Sequence, residues 1–181
     1  DRPSYRSYLL RNYNDSNRDR NGGGFDFYDQ LKEIADSNGC TYETSLPGSC
    51  PNGENVYFID GNAVLTSGWL EQEADSDRAC AVIASGDITV RVGTDKADDT
   101  DKVDAFLVTD GNLRTLADNE ILYINGGGVA NTVEFNREYT DSADDPSEIF
   151  NYDPKYLDLL RDCLGENYPC KVREYGYSKP E

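Results

Sequence analysis

The stretch VYFIDGNAVL, residues 56–65, decides the fold: an apolar run, a corner of Gly and polar residues, and a second apolar run. Similar stretches follow as AVIASGDITV (81–90), FLVTDGNLRT (106–115) and LYINGGGVAN (122–131). The corner glycines Gly61, Gly86, Gly111 and Gly127 are separated by 25, 25 and 16 residues. Recurrence of one pattern at a regular spacing indicates a repeat architecture in which each repeat is one structural unit.

Apolar residues occupy the same positions relative to the corner in all four repeats. Five residues before the glycine stand Val56, Ala81, Phe106 and Leu122. Three residues before it stand Phe58, Ile83, Val108 and Ile124. Two residues after it stand Ala63, Ile88, Leu113 and Val129. The residue after the glycine is Asn, Asp or Gly, which tolerate the backbone of a tight corner. We expect the apolar positions to point into a core and successive repeats to pair as parallel strands about 4.8 Å apart.

These observations predict a mainly β protein. Residues 55–137 would form a short β-solenoid (β-helix) of about four coils. Residues 1–54 would form an N-terminal helical and disulfide-loop region. Residues 138–181 would form an acidic loop, a capping helix and a tail. Apolar residues at helical spacing predict N-terminal helices in SYRSYLLRNY (4–13) and FYDQLKEIAD (27–36). We expect the helices to cover the end coils. The alternative is an antiparallel β-sandwich, because the Asp-Gly and Gly-Asn corners are also hairpin signals.

The last predicted helix has recognisable start and stop signals. In DPKYLDLLRDCLG (153–165), Asp153 suits the N-cap position, Pro154 the first helical position and Gly165 the C-terminal stop. The spacing therefore predicts a capping helix that follows the acidic loop.

Composition narrows the classes of function. The chain has 35 acidic and 17 basic residues and a net charge of -18, which disfavours nucleic acid and anionic lipid as partners. The chain has no His, so Ser-His-Asp and Cys-His catalysis are excluded. No phosphate-binding or dinucleotide-binding motif occurs. We therefore predict that the protein is not an enzyme and that this chain makes no membrane contact.

Five cysteines, at positions 40, 50, 80, 163 and 170, indicate the compartment. Two pairs enclose short polar loops, CTYETSLPGSC and CLGENYPC, without the spacing of a zinc site. We predict disulfides Cys40–Cys50 and Cys163–Cys170, with Cys80 as a buried free thiol. Disulfides place the protein outside the cytoplasm, so we expect an extracellular or cell-surface location.

A candidate metal site lies in DSNRDRNGGGFD, residues 15–26. Five side chains match positions 1, 3, 5, 7 and 12 of a calcium-binding loop: Asp15, Asn17, Asp19, Asn21 and Asp26. Arg20 stands where the loop's sharp turn requires Gly, and Asp26 replaces the longer Glu. The sequence therefore predicts calcium as a ligand here, with a polar linker between two helices as the alternative.

One segment carries a family resemblance. Short coils ending in Gly-Asn or Gly-Asp, followed by PSEIFNYDPKYLDLL (146–160), resemble the solenoid ectodomains of bacterial type IV pilus-associated, pilin-like surface proteins. Those domains are themselves similar to the polymer-forming, bactofilin-like β-helix. The resemblance covers about residues 55–160. It implies an extracellular structural or adhesive subunit, pilus-associated or filament-forming, whose partners are other copies of itself or pilus subunits. The alternative function is a module that binds carbohydrate or another surface ligand.

Overall fold

The computed structural model describes residues 27–69, 78–91, 100–118, 120–137 and 147–165. These residues form two helices, seven strands and one short 3-10 helix. In chain order they are α1 (Phe27–Asn38), β1 (Gly53–Ile59), β2 (Ala63–Thr66), the 3-10 helix (Ser67–Trp69), β3 (Arg78–Ala84), β4 (Ile88–Arg91), β5 (Thr100–Thr115), β6 (Ile121–Glu134), β7 (Glu148–Tyr152) and α2 (Lys155–Leu164).

All seven strands belong to one parallel sheet. Its order is β1-β3-β5-β4-β2, and β6 pairs with both β5 and β7. Strands β1, β3 and β7 and the N-terminal halves of β5 and β6 form what we call the first arm. Strands β2 and β4 and the C-terminal halves of β5 and β6 form the second arm. The two arms meet at a bend, so the sheet is a curled half-barrel.

The prediction of a β-solenoid is wrong, although a mainly β fold is observed. Each repeat contributes two strand segments around a single bend, and β5 and β6 run through that bend without a break. In the described parts of the chain no third strand returns to close a coil, so the sheet stays open. The alternative of an antiparallel sandwich is wrong as well, because every ladder is parallel.

The first three repeats pair at the predicted spacing, but the fourth does not. Strand β1 pairs with β3, and β3 with β5, at an offset of 25 residues, as in Val56↔Ala81 and Ala81↔Phe106. Alignment of the corner glycines predicted that Gly127 lies at the bend. Instead Gly127 pairs with Phe106, well before the bend. The ring of Phe106 lies 3.3 Å from the position that a Cβ of Gly127 would occupy, so this glycine makes room for a neighbouring side chain.

Both faces of β3 and of the C-terminal part of β1 are buried, which explains why these strands are continuous apolar runs. One set of residues fills the inside of the half-barrel, and we call it the interior core: Cys50, Tyr57, Ile59, Ala63, Leu65, Trp69, Cys80, Val82, Ala84, Ile88, Val90, Val103, Ala105, Leu107, Leu113, Leu122 and Ile124. The predicted core positions Val56, Phe58, Ala81, Ile83 and Val108 instead face the helices, in the helix-side core.

The two helices cover the outer face of the first arm. Their buried residues, among them Tyr28, Leu31, Tyr156 and Leu160, belong to the helix-side core. The expectation that helices close the ends of the stack is therefore wrong for these two helices. Both helices were predicted near their observed bounds; the predicted helix at 4–13 lies outside the described residues.

Each helix is bounded by a specific polar or glycine contact. At the start of α1, the carboxylate of Asp110 on β5 accepts hydrogen bonds from the backbone N–H groups of Phe27 and Tyr28. Before α2, the Asp153 carboxylate accepts the N–H of Lys155 at 3.0 Å. The helix ends at Gly165, whose positive φ of 84° suits a residue without a side chain.

The disulfides join residues that are distant in sequence, and the predicted pairing is wrong. Cys40 is bonded to Cys163, which ties the end of α1 to α2, and Cys50 is bonded to Cys80 on β3. Cys80 is therefore not a free thiol; Cys170 lies outside the described residues. The loop between residues 40 and 50 spans from the helices to the interior core, so its two cysteines have different neighbours.

The two disulfides indicate an oxidising, extracytoplasmic location. Within the described ranges, neither helix is long and apolar enough to cross a membrane.

Candidate functional site

The two ends of the sheet differ in how they are covered. At the β1–β2 end, the backbone of Glu43 pairs with β1: its N–H donates to Val56 O, and its carbonyl accepts the N–H of Phe58, both at 2.9 Å. Trp69 is 2% exposed, and its indole N–H donates to Pro47 O at 3.0 Å. This end, which we call the closed end, is therefore covered by residues that precede β1.

The opposite end exposes large apolar side chains. Within the described residues β7 is the last strand of the first arm, next to β6. Beside it, Val133, Phe135, Phe150 and Tyr152 are 43%, 55%, 36% and 54% exposed. We call β7 and residues 133–135 together the open end. Exposed apolar groups of this kind often mark contact surfaces.

The aromatic residues of the open end continue the interior core. Phe150 pairs with Ile124, an interior-core residue, and side chains that are paired across parallel strands point to the same face. The ring of Phe150 lies beside Gly128, 3.5 Å from where a Cβ would stand, and 5.8 Å from the ring of Phe135. The last strand thus presents to solvent the face that earlier strands bury.

A polar cluster holds the segment that carries Phe135. Glu148 Oε1 accepts hydrogen bonds from Thr115 Oγ1 at 2.8 Å and from the backbone N–H of Arg137 at 2.9 Å. The N–H of Asn136 donates to Thr115 Oγ1, and the buried guanidinium of Arg137 donates to Glu120 O. Because these bonds join the ends of β5, β6 and β7, they fix the position of Phe135 next to Phe150.

The backbone groups of β7 alternate between the side that faces β6 and the opposite side. Leu122 N–H donates to Ser147 O, which fixes the ladder between β6 and β7. Since backbone groups alternate in direction along a parallel strand, the N–H and C=O groups of Glu148, Phe150 and Tyr152 point away from β6. The open end therefore presents exposed apolar side chains along the last strand of the first arm, a feature that often marks a contact surface.

Groups with shifted pKa values lie on α1 and β1, away from the open end. Burial raises the pKa of Tyr28 and of Tyr57. The hydrogen bond from Lys32 lowers the pKa of the Asp36 carboxyl, assisted by the hydroxyl of Tyr42. The hydrogen bonds that Lys32 Nζ donates to Asp36 and to the Tyr42 hydroxyl raise the pKa of Lys32. This exposed cluster attaches α1 to the segment at residue 42, which is a structural role.

The predicted metal site cannot be compared with the structure, because Asp15, Asn17, Asp19, Asn21 and Asp26 all lie outside the described residues. Calcium therefore stays a prediction. Among the residues that are described, no group of three or more His, Cys, Asp or Glu is placed to hold a metal ion.

Sequence analysis missed the open end, although its signal was present. The segment EIFNY (148–152) alternates Glu148, Phe150 and Tyr152 with Ile149 and Asn151, a pattern typical of a short strand. That its apolar face is exposed depends on which strand is last in the sheet, which the pattern does not specify.

Comparison of the chain with protein-family models, with curated proteins and with solved structures found no match.

Proposed function

We propose that the protein is an extracellular structural or adhesive subunit of a cell surface and that it attaches to its partners through the open end. The observation that supports this best is the exposure of Phe135, Phe150 and Tyr152 on and beside β7, the last described strand of the first arm. Exposed apolar side chains of this kind favour association with another chain. The partners proposed are other copies of the protein or pilus subunits, which is what the family resemblance implies.

Two further features suit such a subunit. The disulfides are consistent with an extracytoplasmic location, because disulfide bonds persist under oxidising conditions. The net charge of -18 favours solubility before docking.

Labelling of cells that produce the protein tests the proposal. Immunogold electron microscopy should place the wild-type protein on the cell surface or its appendages. The variant Phe150→Lys should be released into the medium, because a charge on the apolar face opposes docking. Val64→Lys is the matched control, since Val64 is 45% exposed but lies on β2 at the closed end. Label confined to the cytoplasm, or equal retention of both variants, would contradict the proposal.

A second candidate function is binding of carbohydrate. It is favoured by the same three exposed aromatic side chains. An aromatic ring offers an apolar face for a sugar ring, and the Tyr152 hydroxyl offers a hydrogen-bonding group beside that face. Calorimetric titration with surface polysaccharides distinguishes the two candidate functions. Carbohydrate binding would be favoured if the wild-type protein released heat on titration, the Tyr152→Ala variant released none, and the protein chains did not associate with each other.

A further inference from the structure

We propose that Asn52 is a site of spontaneous covalent modification. Its side-chain amide is converted to a carboxylate through a cyclic imide that forms with the backbone nitrogen of Gly53. The one reactant besides the chain is water, and the products are ammonia and an aspartyl or isoaspartyl residue. The proposal does not depend on the surface function, because it concerns the bend before β1 and not the open end.

The first step forms one bond and breaks another. The nitrogen of Gly53 attacks Cγ of Asn52, the Cγ–Nδ2 bond breaks, and ammonia leaves with the proton of the Gly53 N–H. Water then opens the imide at either carbonyl, and this step consumes one water molecule. Neither step needs an oxidant or a reductant. Glycine suits the second position, because no side chain shields its nitrogen.

Three Asn-Gly bonds lie in the described residues, at positions 38, 52 and 125, and their surroundings differ; a fourth, Asn21-Gly22, lies outside them. Asn125 is inside β6, which pairs with β5 and β7 at this position. Its Nδ2 donates to Asp104 Oδ1, and its Oδ1 accepts from Asn151 Nδ2, both at 3.0 Å. Both ends of this side-chain amide must be released before an imide can form.

The Asn38-Gly39 bond is held at the end of α1. The N–H of Gly39 donates to Asp36 O at 3.2 Å, so the attacking nitrogen is engaged. The side-chain amide of Asn38 packs against the end of α2: its Nδ2 lies 2.9 Å from where a Cβ of Gly165 would stand. Attack on Cγ therefore requires the helix end to rearrange.

The Asn52-Gly53 bond is less restrained. Asn52 is exposed and lies in a bend, and Gly53 is the first residue of β1. Gly53 has a φ of 86°, and no heavy atom lies within 4 Å of its Cβ position. Residues at the end of a strand open at little cost in free energy, whereas residues inside a sheet do not. The attacking nitrogen is therefore more accessible here than in β6.

Two side chains donate to oxygens on which negative charge develops. Arg78 Nε donates to Asn52 Oδ1 at 3.0 Å, and this oxygen becomes negative when Cγ is attacked. Asn55 Nδ2 donates to Gly53 O at 3.0 Å and lies 3.5 Å from the backbone oxygen of Asn52. That backbone oxygen shares the charge when the Gly53 nitrogen loses its proton. Donors already in place lower the barrier, because they need no reorganisation during the reaction.

The Cys50–Cys80 disulfide holds these groups together. Cys50 lies two residues before Asn52, and Cys80 lies two residues after Arg78. Gly53 and Arg78 are also paired residues of β1 and β3. The guanidinium of Arg78 therefore stays beside Asn52 through the reaction, and the carboxylate that forms there gains a cationic neighbour.

Peptide mapping by mass spectrometry tests the ranking of the three bonds. The wild-type protein is kept in mildly alkaline buffer at physiological temperature, and conversion is followed at Asn38, Asn52 and Asn125. Conversion at Asn52 should be at least about tenfold faster than at the other two. In urea with the disulfides reduced, the three rates should converge, because only the folded structure distinguishes them. Equal rates in the folded protein, or faster conversion at Asn38 or Asn125, would overturn the proposal.

The variant Arg78→Gln tests the contribution of the guanidinium. It should slow conversion at Asn52 about tenfold and leave the rate at Asn38 unchanged, because the developing oxyanion loses a charged donor. Arg91→Gln is the matched control, since Arg91 is an exposed arginine at the end of β4. An unchanged or faster rate at Asn52 in Arg78→Gln overturns the proposed site. Urea midpoints show whether the variants fold, and the ranking in the wild-type protein decides the proposal if Arg78→Gln does not.

Discussion

At the bend between the two arms, polar side chains hold each strand segment to the next. Asn62 Oδ1 accepts the backbone N–H of Asp87, and Asp87 Oδ1 accepts the N–H of Asn112, both at 2.8 Å. Gly86 lies between these contacts. A Cβ there would overlap Asn62 Oδ1 and stand 2.8 Å from the backbone carbon of Gly61. The close stacking of the bends thus requires glycine at this position.

We therefore expect Gly86→Ala to destabilise the protein by about 1–3 kcal/mol, the usual effect of forcing a group into a packed site. Urea denaturation followed by circular dichroism measures the loss. Gly48→Ala is the control, because no heavy atom lies within 4 Å of its Cβ position. Equal urea midpoints for the two variants would show that the bends are not closely stacked.

At the scale of helices and strands, the two disulfides join elements that lie far apart in the chain. The bond Cys40–Cys163 links α1 to α2 over a sequence separation of 123 residues. The bond Cys50–Cys80 links the loop before β1 to β3 over 30 residues. The first bond holds both helices on the sheet, whereas the second closes one end of the interior core.

Removal of the longer-range disulfide should cost more stability. In the chain-entropy model, replacing Cys40 and Cys163 by Ser lowers the free energy of unfolding by roughly 1 kcal/mol more than replacing Cys50 and Cys80 by Ser. Either loss should be about 2–5 kcal/mol. Urea midpoints of the two double variants measure the difference. Mass mapping that found Cys40 bonded to Cys50 would contradict the connectivity.

At the scale of the whole molecule, repulsion between the many acidic side chains destabilises the compact folded state. The excess of 35 acidic over 17 basic residues makes the folded chain repel itself. The ion pairs of α1 and α2, Lys32–Asp36 and Arg161–Asp158, are exposed pairs that contribute little. Screening by salt should relieve much of this repulsion.

We expect the melting temperature to rise by a few degrees between about 0.01 M and about 0.5 M sodium chloride, where the screening length is much shorter. Thermal denaturation in choline chloride at equal ionic strength is the control and should give the same rise. A larger rise in calcium chloride at matched ionic strength would support the predicted site at residues 15–26. No change with salt would contradict the repulsion.

Local patterns along the chain determined much of the fold. Helical spacing predicted α1 and α2, and the 25-residue recurrence predicted the parallel pairing of β1, β3 and β5. The fourth repeat was misaligned because glycine has two roles. At Gly86 it permits a tight bend, whereas at Gly127 it leaves space for the ring of Phe106. A single sequence does not distinguish these roles.

The sequence alone indicated α1, α2 and the strands of the first three repeats, and that these repeats stack in parallel, because these properties depend on neighbouring residues and regular spacing. Only the tertiary structure decided that the sheet stays open, that Cys40 meets Cys163, and that Phe150 and Tyr152 lie on the last strand. The physical reason is that such contacts join residues distant in sequence. They depend on the curvature of the sheet and on which strands remain at its edges, and no local pattern encodes either.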